Sequence, residues 1–140
     1  VTRDIPVITI AVTGHMDLAP EAISPVRAAL RALLSGLAGD GRVGRSCLAR
    51  GADSLFAEEV LARGGRLSAV VPSRDYRTAV VRPEDLARFD ALRAAAGDVT
   101  VLPYEHAGTE AYEAQPAAAA GRAATGGRLG RQRAHRQGRR

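Results

Sequence analysis

Four short apolar runs recur along the chain, and each is followed by a loop and then a stretch with helical spacing. The runs are Ile5–Val12 (IPVITIAV), Arg42–Leu48, Leu67–Val71 (LSAVV) and Val99–Leu102 (VTVL). The first is almost continuously β-branched and apolar, as expected of a strand buried on both faces of a parallel sheet. A helix is expected from Pro20 or from Ser24-Pro25, with Ser24 as N-cap and Pro25 in the first turn. Its apolar stripe is Val26, Leu30, Leu33, Leu34 and Leu37, and Gly39-Asp40-Gly41 ends it. A second helix is expected from about Ala52 to Arg63, closed by Gly64-Gly65, and a third from Pro83 to near Gly97 through Leu86, Phe89 and Leu92. A further helix opens at Thr109-Glu110-Ala111-Tyr112. This fourfold alternation predicts an α/β fold: a Rossmann-like, doubly wound parallel sheet of about four strands with flanking helices.

Right-handed crossovers bring every strand-to-helix loop to one edge of such a sheet, where ligands bind outside the strand C-termini. The loops Thr13–Asp17, Arg50–Asp53, Pro72–Tyr76 and Tyr104–Thr109 are therefore expected to converge. The most informative is the second, within Ser46–Val60, where an apolar run stops at Arg50-Gly51 and a helical pattern begins at Ala52. A helix N-terminus offers free N–H groups and a partial positive charge to an anion. Arg50 adds a donor fork suited to phosphate, and Gly51 permits positive φ and close approach of the backbone. The candidate ligand-binding residues are Thr13, Gly14, His15, Arg50, Gly51, Asp53, Ser73 and Tyr76. Asp53 either touches a ribose hydroxyl or serves the helix as a first-turn acid, the reading preferred here. Tyr76 and Tyr104 are loop aromatics on which a base could stack. Glu58 and Glu59 read as a solvated helix face, and Cys47 as a small buried core residue rather than a nucleophile.

Charge needs to be read in two parts. The formal +5 comes from residues 115–140, which hold seven of the twenty basic residues and no acid; residues 1–114 carry −2. All twenty are arginine, which fits a GC-rich genome. The body is thus mildly acidic, and a nucleic-acid partner inferred from total charge rests on the tail alone. That tail has one large apolar residue, Leu129, and cannot offset its ordering entropy, so residues 115–140 are expected to be a disordered Arg/Ala/Gly-rich segment after a single domain, 1–114. Neither a bilayer-length apolar run nor a secretory pattern occurs, and one cysteine fits a reducing compartment, so a cytoplasmic location is expected. Starting on Val1 fits a GTG start read literally, or a fragment. No His/Cys/Asp/Glu cluster has metal-ligand spacing, and neither a metal nor another cofactor is expected.

The run Ser46-Cys47-Leu48-Ala49-Arg50-Gly51-Ala52-Asp53, then Ala57-Glu58 and Ala69-Val70-Val71-Pro72, resembles the SLOG superfamily, which joins the Smf/DprA DNA-processing proteins and the LOG phosphoribohydrolases. Thr13-Gly14-His15-Met16-Asp17-Leu18 resembles the start of an uncharacterised actinobacterial branch of that group. The resemblance covers roughly residues 5–114 and implies a nucleotide or nucleotide-derived ligand with its phosphate near Gly14 and Arg50-Gly51. It does not imply catalysis. LOG enzymes carry Pro-Gly-Gly-x-Gly-Thr-x-x-Glu, whereas His106-Ala107-Gly108-Thr109-Glu110-Ala111-Tyr112 keeps Gly-Thr, lacks the paired glycines and has Tyr112 at the glutamate position. Relatives would continue past Ala114 with a helix and a last strand, and the Arg/Ala/Gly/Gln mixture found instead reads as a frameshifted or degenerate end.

The sequence therefore favours binding of a nucleotide or related phosphorylated small molecule at the sheet's C-terminal edge, as in a sensor. The alternatives are a LOG-like hydrolase of a nucleotide N-glycosidic bond and Smf/DprA-like binding of single-stranded DNA. No complete catalytic motif is present, so no catalytic residue is assigned. The expected partner is a small nucleotide or phosphate ligand, with nucleic acid less favoured, no membrane, and a homodimer left open.

Overall fold

The computed structural model of the chain describes residues 8–36 and 42–115. Four strands, β1 (Ile8–Ala11), β2 (Arg42–Ser46), β3 (Arg66–Val71) and β4 (Asp98–Val101), pair in parallel in the order β1-β2-β3-β4. Three crossover helices, α1 (Pro20–Gly36), α2 (Ala52–Ala62) and α4 (Leu86–Ala95), pack side by side, with the single-turn α3 (Tyr76–Ala79) and a 3-10 turn (Pro83–Asp85) before α4. The α/β class, parallel sheet and flanking helices are those expected. The strands run in chain order, so no reversal occurs among the described strands. Right-handed crossovers then place α1, α2 and α4 on one face.

Side-chain alternation along β3 divides the core. Leu67, Ala69 and Val71 face the helices and pack with Phe89, Leu92 and Ala57. Val70 points the other way and packs with Cys47 and Leu102, beside Ala114 of a helical segment spanning 109–115. That helix extends through Gln115, and the tail expected beyond it lies outside the described residues.

Several elements differ from expectation for identifiable reasons. β1 is an edge strand, so Ile8 is 45% exposed rather than buried on both faces; residues 5–7 of the expected run lie outside the described residues. Helix α1 begins at Pro20, so Ser24 is not its cap and Pro25 sits inside the helix. Leu33 is exposed while Leu34 is buried, and Leu37 lies outside the described residues. β2 stops at Ser46, two residues early, because Leu48 takes a left-handed φ of 56° and its N–H donates to Ser46 Oγ. The pattern of β2 is weak because Phe56 and Val60 of α2 lie directly over Gly44. Glycine does close α2: Gly64, at φ 73°, donates to the Leu61 carbonyl and Gly65 to that of Val60.

Glu58 and Glu59 do not form a solvated face. Helix α2 lies between α1 and α4, so both of its flanks are covered. Glu59, 3% exposed, accepts from Arg27 and Arg31 of α1, while Glu58 bridges Arg27 and Arg88 of α4. Tyr76 is likewise no loop aromatic. It opens α3, is 3% exposed, and its ring lies 5.9 Å from that of Phe89, tilted by 50°.

Candidate functional site

The four loops meet at the C-terminal edge of the sheet as two pairs. In the first, Ala52 N–H donates to the His15 carbonyl at 3.1 Å, so the loop after β1 lies against the start of α2. The apposition is close. A Cβ on Gly14 would sit 2.6 Å from that of Ala52, and one on Gly51 would overlap the carbonyl oxygens of His15 and Met16. Gly51 is the N-cap of α2 at φ 84°, and only glycine meets both demands without strain. The first helical amide thus already has a protein acceptor and is not free for an anion. In the second pair, Arg74 N–H donates to the Tyr104 carbonyl at 2.9 Å and Ala107 N–H to Asp75 Oδ1 at 2.8 Å. His106 Nδ1 lies 3.2 Å from Asp75 Oδ2. The Ser73 hydroxyl, then the Ala107 amide and His106, hold Asp75 below the usual carboxylate range.

Beside the first pair opens a cleft of about 820 Å³, walled by the loop after β1, α1, α2 and the start of α4. Its volume lies in the range that takes a small-molecule ligand. Four arginines (Arg27, Arg50, Arg82, Arg88) and four carboxylates (Asp17, Glu58, Glu84, Asp85) line it, with Met16, Leu18, Ile23 and Leu55 as an apolar floor. Arg50 turns its fork to Asp17, donating from Nε to Oδ1 at 3.0 Å and from Nη2 to Oδ2 at 3.2 Å. Arg82 Nη2 stands 3.7 Å from the same Oδ1. Arg50, through hydrogen bonds and charge, and Arg82, through charge, hold Asp17 below the usual range.

Of the eight residues expected at the site, Arg50 and Gly51 line this cleft. Thr13, Gly14 and His15 belong to the adjoining loop, and all three are exposed. Asp53 is the second residue of α2 and makes no capping hydrogen bond. It is 9% exposed, its Oδ1 has no partner among the described residues, and burial pushes its pKa up to about 6. Asp53 lies in the first turn of α2 as expected of a first-turn acid, but the chain turns at Gly51 and the carboxyl is carried inward. Ser73 is fully buried and donates to Asp75 at 2.8 Å. Burial, then the nearby Tyr112, Cys47 and Asp53, raise the Tyr76 hydroxyl to about 12. Burial, followed by Asp53, does the same to the Cys47 thiol, which removes thiolate chemistry there. Asp17 enters from the Thr13–Leu18 stretch, whereas Arg82 and Arg88 join the cleft without any sequence motif of their own. The Arg82-Pro83 step, where a helix opens near the same edge, is the one sign of them in the sequence. Among the described residues no group of three His, Cys, Asp or Glu side chains is placed to hold a metal, and no helix is long and apolar enough to cross a membrane.

No known protein family and no curated protein matches the sequence. Among solved structures the chain is similar to DNA processing protein A (DprA) from Streptococcus pneumoniae, with a TM-score of 0.57 at 20% identity. The likeness covers 82% of this chain, which spans 38% of the length of that protein. At that identity the shared property is the fold: this chain has a DprA-like Rossmannoid sheet.

Proposed function

We propose that the chain binds a nucleotide or a nucleotide-derived phosphorylated ligand in the cleft beside α2. The observation that carries this reading is the pairing of two unlike surfaces in one cavity. The Arg50–Arg82 pair already holds an oxyanion, the Asp17 carboxylate, and a phosphate offers the same fork two oxygens with more charge. The neighbouring floor of Met16, Leu18, Ile23 and Leu55 is apolar, with Met16 38% and Ile23 40% exposed, and suits a base or sugar face. The resemblance of Ser46–Asp53 to the SLOG superfamily and the DprA-like fold support the same assignment. The function proposed is binding, as in a cytoplasmic sensor. Cleavage of an N-glycosidic bond needs a carboxylate facing the ribose, and two of the four carboxylates lining the cleft, Asp17 and Glu58, are held by arginines.

A second reading, binding of single-stranded DNA, is favoured by the similarity to a DNA-processing protein. It is disfavoured by equal numbers of acids and arginines in the cleft and by the net charge of −2 over residues 1–114. Thermal shift of the full chain against nucleoside monophosphates, diphosphates and an oligothymidylate separates the two. Mononucleotides are expected to raise Tm, and Arg50→Ala to abolish the rise. Stabilisation by the oligonucleotide with none by mononucleotides overturns the proposal.

A further inference from the structure

Ion pairs differ widely in how readily they exchange, and burial decides it: exposed pairs are weak and partly buried ones are held. Arg27 and Arg88 are tied to Glu58, whose side chain is 33% exposed and sits between three helices. Asp17 is 74% exposed, although the Arg50 side chain it occupies is only 23% exposed. Of Asp17 and Glu58, the more exchangeable carboxylate therefore stands on the arginines best placed for a phosphate.

We infer that Asp17 is an internal competitor for the phosphate site: its carboxylate occupies the Arg50–Arg82 pair in the free protein, and a bound phosphate displaces it. This rests on the proposed function above and adds a regulatory element to the same site. Two consequences distinguish a competitor from a supporting residue. Asp17→Asn, whose amide competes poorly for guanidinium, tightens phosphate binding, by up to about fivefold on the scale of exposed ion pairs. In addition, salt erodes anion binding less steeply in the wild type than in the variant, because in the wild type one anion replaces another and the charge at the arginines changes less. The two affinities converge as ionic strength rises.

The test is calorimetric titration of the full-length wild type, Asp17→Asn and Arg82→Gln with inorganic pyrophosphate, a nucleoside monophosphate and an oligothymidylate at low and high salt. Tighter binding to Asp17→Asn that fades with salt, and weaker binding to Arg82→Gln, are expected. Equal or weaker binding to Asp17→Asn means that Asp17 holds Arg50 in place for the ligand and overturns the inference, while nucleotide binding by the wild type leaves the proposed function standing. The predicted pattern with pyrophosphate, but no binding of either nucleotide form, supports the competitor and overturns the nucleotide reading; the pattern with the oligonucleotide alone transfers it to DNA phosphates. Absence of binding by all three probes overturns both. As a check independent of the variant, the Arg50 Nε–H resonance of the wild type with pyrophosphate should leave its free position as Asp17 is displaced; no movement at saturation refutes displacement.

Discussion

Replacing the Asp53 carboxyl by an amide, in Asp53→Asn, is expected to stabilise this protein at neutral pH. The carboxyl is 9% exposed with one oxygen unpartnered, and burial raises its pKa from an ordinary 3.8 to about 6. Above pH 6 the folded protein carries a buried carboxylate, at a cost of about 3 kcal/mol. Opposing this, a negative charge in the first turn of α2 gains roughly 0.3–1 kcal/mol from the helix dipole. Desolvation wins, and about 2 kcal/mol remains. For a chain of this size that corresponds to a Tm higher by roughly 6–8 °C. The sign with pH follows from linkage. Between pH 3.8 and about 6 the folded state keeps a proton on Asp53 that the unfolded state has lost, so the contribution of Asp53 to wild-type stability falls as pH rises through that window and stays low above it. The amide of the variant does not titrate, so the gap between the two proteins should open from near zero at about pH 4 to its full size by about pH 7. Thermal unfolding of both full-length proteins from about pH 4 to about pH 8 measures it. A gap that is flat across this range, or a variant less stable than wild type at neutral pH, would show that the carboxylate has a partner and refute the argument.

Two further substitutions test the packing that shapes the site. Gly51→Ala meets both a left-handed φ and the carbonyls of His15 and Met16, whereas Gly64→Ala meets only the φ, with open space around it. Chemical denaturation should show a loss of about 1 kcal/mol for Gly64→Ala and clearly more for Gly51→Ala; equal losses would mean the loop does not press on α2. Gly44→Ala drives a methyl into Val60 and should cost about 1–3 kcal/mol. Combining it with Val60→Ala should cost less than the sum of the two single losses, and simple additivity would contradict the contact.

Much of the fold is legible in the sequence because it depends on local signals. Gly64-Gly65 ends α2 as the sequence indicates, and the LSAVV run becomes the most buried strand. Convergence of the four loops follows from parallel topology alone, since every crossover returns to the same edge. What is not legible depends on contacts distant in sequence. Glu58 and Glu59 look solvated because nothing local reveals that a helix lies between two others. Tyr76 looks like a loop residue because the single turn α3 is too short to show a period, and its burial comes from Phe89. Asp17 sits in the Thr13–Leu18 stretch and Arg82 carries no motif, so their meeting is a product of the folded chain.

The Arg50-Gly51 pair shows how one short motif can be read correctly in place and incompletely in cause. Glycine at a strand-to-helix corner suggests a ligand approaching the backbone. Here another part of the protein makes that approach, because the carbonyls of His15 and Met16 fill the space a side chain would take, and His15 also bonds the first amide of α2. The need for glycine is thus met by loop packing, whatever the ligand. Arginine is different, since its fork faces the cleft and already grips an oxyanion. The chemistry of the site and the architecture of the corner are therefore separable at neighbouring positions. Losing the Arg50 fork should cost binding while the corner remains folded, whereas a side chain at Gly51 should cost both, because it separates the loop carrying Asp17 from the helix that carries the cleft wall.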